Sequence, residues 1–321
     1  MKITAMKKLL ILFIGICFNG LLNAQQLPQI TQYMMNNYAI NPAVSSMYDY
    51  YQINSTIRNQ WTMEGAPRTT VLTMYGKKNE HVGLGGMVFN DEAASESRIG
   101  ASASYAYSFS ATKNIRMSFA LSAGFQQYKL CKTCLEGESS QDVLLNGDVV
   151  RSIPDAIFGF NMYSDKWYVG FSVPQLLASK IELYSDAVKN AFNTDSIVGN
   201  DVEGNGVFSR HYYALGAYNL ALNSSWTLQP SLLFKSASGS SQVDIGLKTD
   251  YNNTLWCGMS YKVNNDLSPL SALLGYTINQ RYTIGYSYDL PTADKSSIPG
   301  PTHEFLLGIR FIPSSESDII R

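Results

Sequence analysis

Few residues in this chain could do covalent or metal chemistry, and each falls short of a site. Cys131 and Cys134, in "CKTC", form the one paired-cysteine motif. A zinc site wants four ligands; no second pair exists, and Cys257 sits far off in an expected strand. A redox pair of this spacing opens a helix beside a βαβ unit, a pattern the sequence lacks. In an exported protein the pair reads as a local disulfide or as two free loop thiols. "DVEGNG", Asp201 to Gly206, copies the first half of a calcium loop, with Asp201, Glu203 and Asn205 at ligand spacing. Tyr212 stands where that loop needs its bidentate acid, so an acidic, glycine-rich surface loop is the better reading. His81, His211 and His303 fall at separate strand ends with no nucleophile motif beside them. P-loop, dinucleotide and zinc-protease motifs are missing. The sequence points away from an enzyme and asks for no cofactor or metal.

The elements that carry these residues are strands. "ASASYAYSFS" (residues 101–110) alternates, with Ala101, Ala103, Tyr105, Tyr107 and Phe109 on one face and serines with Ala106 on the other. "QVDIGLKTDY", "YTIGYSYD" and "EFLLGIRF" repeat the pattern and confine their charges to one face, which therefore reads as wet. Fourteen strands are expected, at about 48–60, 67–76, 82–90, 98–110, 115–130, 154–163, 167–173, 211–221, 226–236, 243–251, 255–262, 270–278, 282–289 and 303–311. Short polar turns ("KKNEH", "ATKN", "SDK", "LNSS", "NNT", "NQR") join every second pair. The intervening connections, such as 131–153, 174–210 and 290–302, are mostly longer. That asymmetry belongs to a transmembrane barrel whose two ends face different compartments. In the longest loop, Ile181, Tyr184, Val188 and Ala191 recur at helical spacing, suited to capping the barrel or gripping a partner.

Composition agrees. Charged residues make up only 15% of the 321, and 21 tyrosines dominate the aromatics, as suits strands with one lipid face. A net charge of -1 offers no nucleic-acid surface. Lys7 and Lys8 precede the apolar run Leu9 to Phe18, too short to span a bilayer, and Ala24 suits signal cleavage. Ile16 before Cys17 argues against lipidation. The expected organisation is a cleaved signal peptide at 1–24, a short periplasmic or lumenal segment at 25–47, an all-β antiparallel barrel of about 14 strands at 48–311 and a polar tail at 312–321. The first and last strands must pair, because an open edge in hydrocarbon leaves backbone groups unsatisfied. Trp61, Trp167, Trp226 and Trp256 lie near expected strand ends and suit an interfacial girdle.

"QYMMNNYAINPAVSS" (32–46), "RNQWTMEGAPRTTVLTMYG" (58–76) and "VGLGGMVFNDE" (82–92) strongly resemble the PorP/SprF family of type IX secretion. Later stretches, "PDAIFGFNMYSDKWYVGFSVPQLL", "RHYYALGAYNL", "LLGYTINQRYTIGYSYDL" and "HEFLLGIRF", fit in order. The resemblance implies an outer-membrane barrel that binds a large secreted protein with a C-terminal sorting domain, such as a gliding adhesin, and supports its export or surface attachment. It implies other type IX components and outer-membrane lipid as further partners. The alternative is a passive or lipophile-transporting channel. The motif residues Asn41, Pro42, Arg58, Gln60, Trp61, Gly65, Ala66 and Pro67 are the candidates for family motif or partner contact. Three also have a structural reading: Pro42 pushes Asn41 out of helical space, Gly65 suits a turn, and Pro67 fits a strand's start.

Overall fold

The computed structural model describes residues 29–61, 65–131, 134, 148–182, 205–207, 209–237, 240–263, 268–291 and 300–312. The expected signal peptide, the polar tail from 313 and most of "DVEGNG" lie outside them. The strands are β1 (Tyr51–Asn59), β2 (Arg68–Lys77), β3 (Val82–Ala93), β4 (Glu96–Ser110), β5 (Arg116–Leu130), β6 (Val149–Tyr163) and β7 (Trp167–Val173). There follow β8 (His211–Tyr218, continued past Asn219 by Leu220–Ala221), β9 (Trp226–Ala237), β10 (Ser240–Tyr251), β11 (Leu255–Val263), β12 (Leu270–Ile278), β13 (Tyr282–Leu290) and β14 (Thr302–Phe311). Each pairs antiparallel with its neighbours, and β1 pairs with β14 from Tyr51↔Phe311 to Asn59↔His303. The sheet is thus a closed barrel of 14 strands, and every edge is consumed. No helix among the described residues is long and apolar enough to cross a membrane.

Alternation sorts the side chains. Leu72, Met74, Leu84, Val88, Tyr105, Leu121, Ile245, Leu274 and Leu307 stand exposed on the outer wall, while Asn54, Thr73, Ser104, Ser118, Asn161 and Ser172 are buried inside. An apolar exterior over a polar interior is a membrane barrel turned to lipid, not a water-soluble sheet. At the short-turn end the outward positions are aromatic: Phe109, Trp167, Tyr218, Trp226, Tyr251, Tyr282 and Phe311. Trp226 packs on Tyr251 with ring centroids 4.7 Å apart. Amphipathic rings at this level form the interfacial girdle. Trp256 departs from it: this residue is buried, 2% exposed, and an added Cβ at Gly275 would run into its ring. Its place on β11 has inward parity, which overrides its closeness to a strand end.

Two connections differ from the expected alternation of short and long. β3 and β4 meet at Ala94 and Ser95 alone, and β9 and β10 are separated by only residues 238–239. Likewise β6 begins at Val149 and not near 154. β4, β5 and β6 run 15 residues each, beyond the roughly 9–11 that cross hydrocarbon. Outside the bilayer both faces of a strand are wet, so polar stretches such as "NDEAASES" carry no alternation to read. Around Ile181, helical spacing gives way to a short strand, Lys180–Glu182, paired with Asn205–Val207; residues 183–204 lie outside the described set.

Candidate functional site

A barrel of this size has a lumen wider than its own inward side chains can fill. The chain fills it with its N-terminal segment. Residues 29–47 run inside the wall and contain two short 3-10 turns, Asn37–Ala39 and Pro42–Ser46. Tyr33, Met34 and Ile40 pack against Tyr163, Tyr168, Tyr213, Leu215 and Leu233 of the wall. Polar anchors come from all round the barrel. Asn36 Oδ1 accepts from Asn54 (β1) and Thr73 (β2), at 3.3 and 3.0 Å. The Tyr38 and Ser104 (β4) hydroxyls lie 2.6 Å apart, and those of Tyr33 and Ser231 (β9) 3.0 Å. Ser118 (β5) donates to the Ala43 carbonyl and Ser172 (β7) to that of Ile40.

The inner wall is cut to receive this segment. At Gly85 (β3) an added Cβ would lie 2.5 Å from the Tyr38 hydroxyl, and the Tyr38 ring stacks on Tyr75 at 4.7 Å. At Gly170 (β7) it would meet Asn41 Nδ2 at 2.5 Å. Asn41 is extended; its Oδ1 accepts from the Ala43 N–H at 3.0 Å, and its Nδ2 donates to the Phe160 carbonyl at 2.8 Å. Pro42 then opens the turn with no N–H to satisfy. Asn41 and Pro42 thus pin the segment's middle to β6 and β7.

Its upper end is held by charge. The Thr31 and Gln32 backbone N–H groups donate to the two Glu304 oxygens at 2.8 Å each. Arg58 spans Glu304 at 3.2 Å and Asp289 at 2.7 Å, and Lys262 Nζ also reaches Asp289 at 2.7 Å. The Thr31 hydroxyl accepts from Arg58 at 2.7 Å and Lys262 at 3.1 Å, and lies 3.2 Å from Asp289 Oδ1, to which it can donate. All four charged residues are almost fully buried, two of each sign. Balanced, multiply bonded charges are the form in which burial is tolerable. The inward charges expected to face water therefore face each other and the segment.

The remaining motif residues sit elsewhere, beyond the end of β1 at the barrel's loop end. The Gln60 N–H donates to the Pro67 carbonyl at 2.8 Å, closing the β1–β2 connection. Trp61 is held at φ 61°, a left-handed conformation rare for a bulky residue. Gly65, at φ 72°, accepts from the Ala94 N–H at 2.8 Å, which ties this loop to the tight β3–β4 turn. Ala66 and Pro67 are half-buried and lead into β2. The eight motif residues therefore occupy two places: Asn41 and Pro42 in the lumen, Gln60 to Pro67 at the rim, with Arg58 between.

Sequence reasoning found Arg58 but missed the rest of its cluster: Thr31, Asp289 and Glu304, which bond it, and Lys262, which shares Asp289 and Thr31 with it. The available signal was charge placed on the inward face of otherwise apolar strands. Cys131 and Cys134 form a disulfide, and Cys257 is free and exposed. The histidines stay apart; His303 Nδ1 lies 2.8 Å from the Tyr286 hydroxyl, and His81 Nδ1 lies 2.9 Å from the Ser108 carbonyl. No group of three or more metal-ligating side chains occurs among the described residues.

Comparison with known proteins identifies a family and several structural likenesses. Residues 22–309 match the family described as type IX secretion system membrane protein PorP/SprF. No curated protein matches. Among solved structures, the toluene transporter TodX of Pseudomonas putida is similar at 11% identity and TM-score 0.48, over 87% of this chain and 94% of its own. A FadL homologue of Pseudomonas aeruginosa gives 12% and 0.47, over 89% and 94%. The Ralstonia pickettii toluene transporter TbuX gives 9% and 0.47, over 87% and 92%. Likeness at this level says nothing of what this barrel binds.

Proposed function

The chain belongs to the PorP/SprF family of type IX secretion system membrane proteins, and from that premise we propose that it works as a docking barrel. In this reading it sits in the outer membrane beside other type IX components and holds a large secreted protein with a C-terminal sorting domain. It supports that partner's export or surface attachment by binding and not by catalysis. The loop end, with Gln60, Trp61 and Gly65 to Pro67, faces outward and meets the partner, since loops on a rigid scaffold carry recognition.

The observation that supports this most is the filled lumen. A segment bonded to strands on every side leaves the mouth and loops, not the bore, as the surface open to a polypeptide. Affinity purification of the tagged barrel tests it. A sorting-domain protein is expected to co-elute, and Trp61→Ala is expected to reduce that yield while the barrel keeps its heat-modifiable gel shift. Deleting the gene is expected to leave the partner inside the cell or released, with the secretion motor intact. A deletion strain that displays every sorting-domain protein normally would overturn the reading. A large, steady conductance from the purified barrel in planar bilayers would instead mark a channel.

A further inference from the structure

Between the lumenal segment and the inner faces of β2 to β6 lies a half-enclosed cleft. Its walls are apolar: Ile30 and Ile40 from the segment, Val71, Phe89 and Ile157 from the barrel. Six polar side chains also line it: the hydroxyls of Tyr38, Ser102, Ser122 and Tyr213, and Gln126 and Asp155, which present acceptors. Gln126 is 4% exposed; its Nε2 donates to Asp155 Oδ2 at 2.7 Å, which leaves Gln126 Oε1 buried with no hydrogen-bond partner. The other Asp155 oxygen accepts from the Ala156 N–H at 2.8 Å. No cation lies within ion-pair distance of Asp155 among the described residues.

A buried amide oxygen without a donor, next to a carboxylate without a counter-charge, is an unfavourable pair in an apolar wall. A bound molecule that brings donors and an apolar body would satisfy both at once, and such a cleft is the usual form of a small-ligand site. We propose that this cleft binds a small amphiphile with a hydrogen-bond-donating head, a primary ammonium or a hydroxyl, and rejects the matching carboxylate. The head lies between Gln126 Oε1 and Asp155; the alkyl or aryl body lies along Val71, Phe89 and Ile157. A carboxylate head placed between Gln126 Oε1 and Asp155 would add two acceptors and a like charge beside those two acceptors. The site is independent of partner docking at the loop end.

The test uses the full-length barrel in lipid nanodiscs with three probes of equal length: hexylamine, hexanol and hexanoate, each tipped with a diazirine. After photolysis, mass spectrometry maps the labelled residues. The amine and the alcohol are expected to label Val71, Phe89 or Ile157, and hexanoate at least tenfold less. In Gln126→Leu/Asp155→Leu the three probes are expected to label alike. Should that pair fail to give the heat-modifiable shift, Gln126→Glu serves, with the amine-to-alcohol ratio expected to rise. Equal labelling by hexanoate in the native chain overturns the proposal. So does labelling confined to the outer-wall residues Leu72 and Val88, or discrimination that survives in the double variant.

Discussion

Arg58 is bonded to two buried carboxylates and to the Thr31 hydroxyl, so no smaller side chain can replace it without leaving charge uncompensated. Removing one member of such a cluster costs about 3–5 kcal/mol. Arg58→Ala is expected to loosen the top of the lumenal segment and speed amide exchange at Thr31 and Gln32 by about a hundredfold or more, read by hydrogen-exchange mass spectrometry. Arg58→Lys should fall between, because a point charge cannot span both Glu304 and Asp289. Gly85→Val places a methyl-bearing Cβ against the Tyr38 hydroxyl and should lower stability by about 1–3 kcal/mol in denaturant unfolding. Its neighbour Gly86 points outward with its nearest obstacle at 3.4 Å, so Gly86→Ala should be close to neutral. The sequence pointed to Arg58 through the resemblance of its surrounding motif, and alternation correctly placed Asp289 and Glu304 inward. What it could not supply was their partner, because Thr31, which meets them, lies 258 and 273 positions earlier in the chain.

Among the elements, the lumenal segment makes the sharpest claim. Its anchors reach strands from β1 to β14, while the wall's own ladder is continuous without it. Deleting residues 29–46 is therefore expected to leave a barrel that still shows heat-modifiable migration but conducts in clearly larger steps in planar bilayers. Unchanged conductance would mean that the segment does not occupy the ion path. Strand reading succeeded wherever one face met lipid and the other the lumen. It failed at β3–β4 and β9–β10, where both faces are polar beyond the bilayer and "SES" or "SGS" reads as loop. Trp256 was misjudged for a related reason: proximity to a strand end suggested a girdle, but the parity of β11 decides the side.

For the whole molecule, closure and the lipid belt set the energetics. Leu307 lies outward, mid-way along the β1–β14 seam opposite Ser55, while Phe311 lies at its short-turn end. Arginine on the lipid face costs about 2–4 kcal/mol at the bilayer midplane and about 0–1 near the interface. Leu307→Arg should therefore destabilise the bilayer-embedded barrel by about 2–4 kcal/mol, and Phe311→Arg by about 0–1, in reversible unfolding from vesicles. The strand count and the seam were legible from fourteen alternating stretches and their polar turns; the interior was not, since periodicity names a face and never what covers it. Thr31 and Gln32 find their carboxylate acceptor only on β14, so these two bonds require the strand that closes the barrel on β1 to be in place. One strand thus serves twice, as the partner that seals the wall and as the clasp on what the wall encloses.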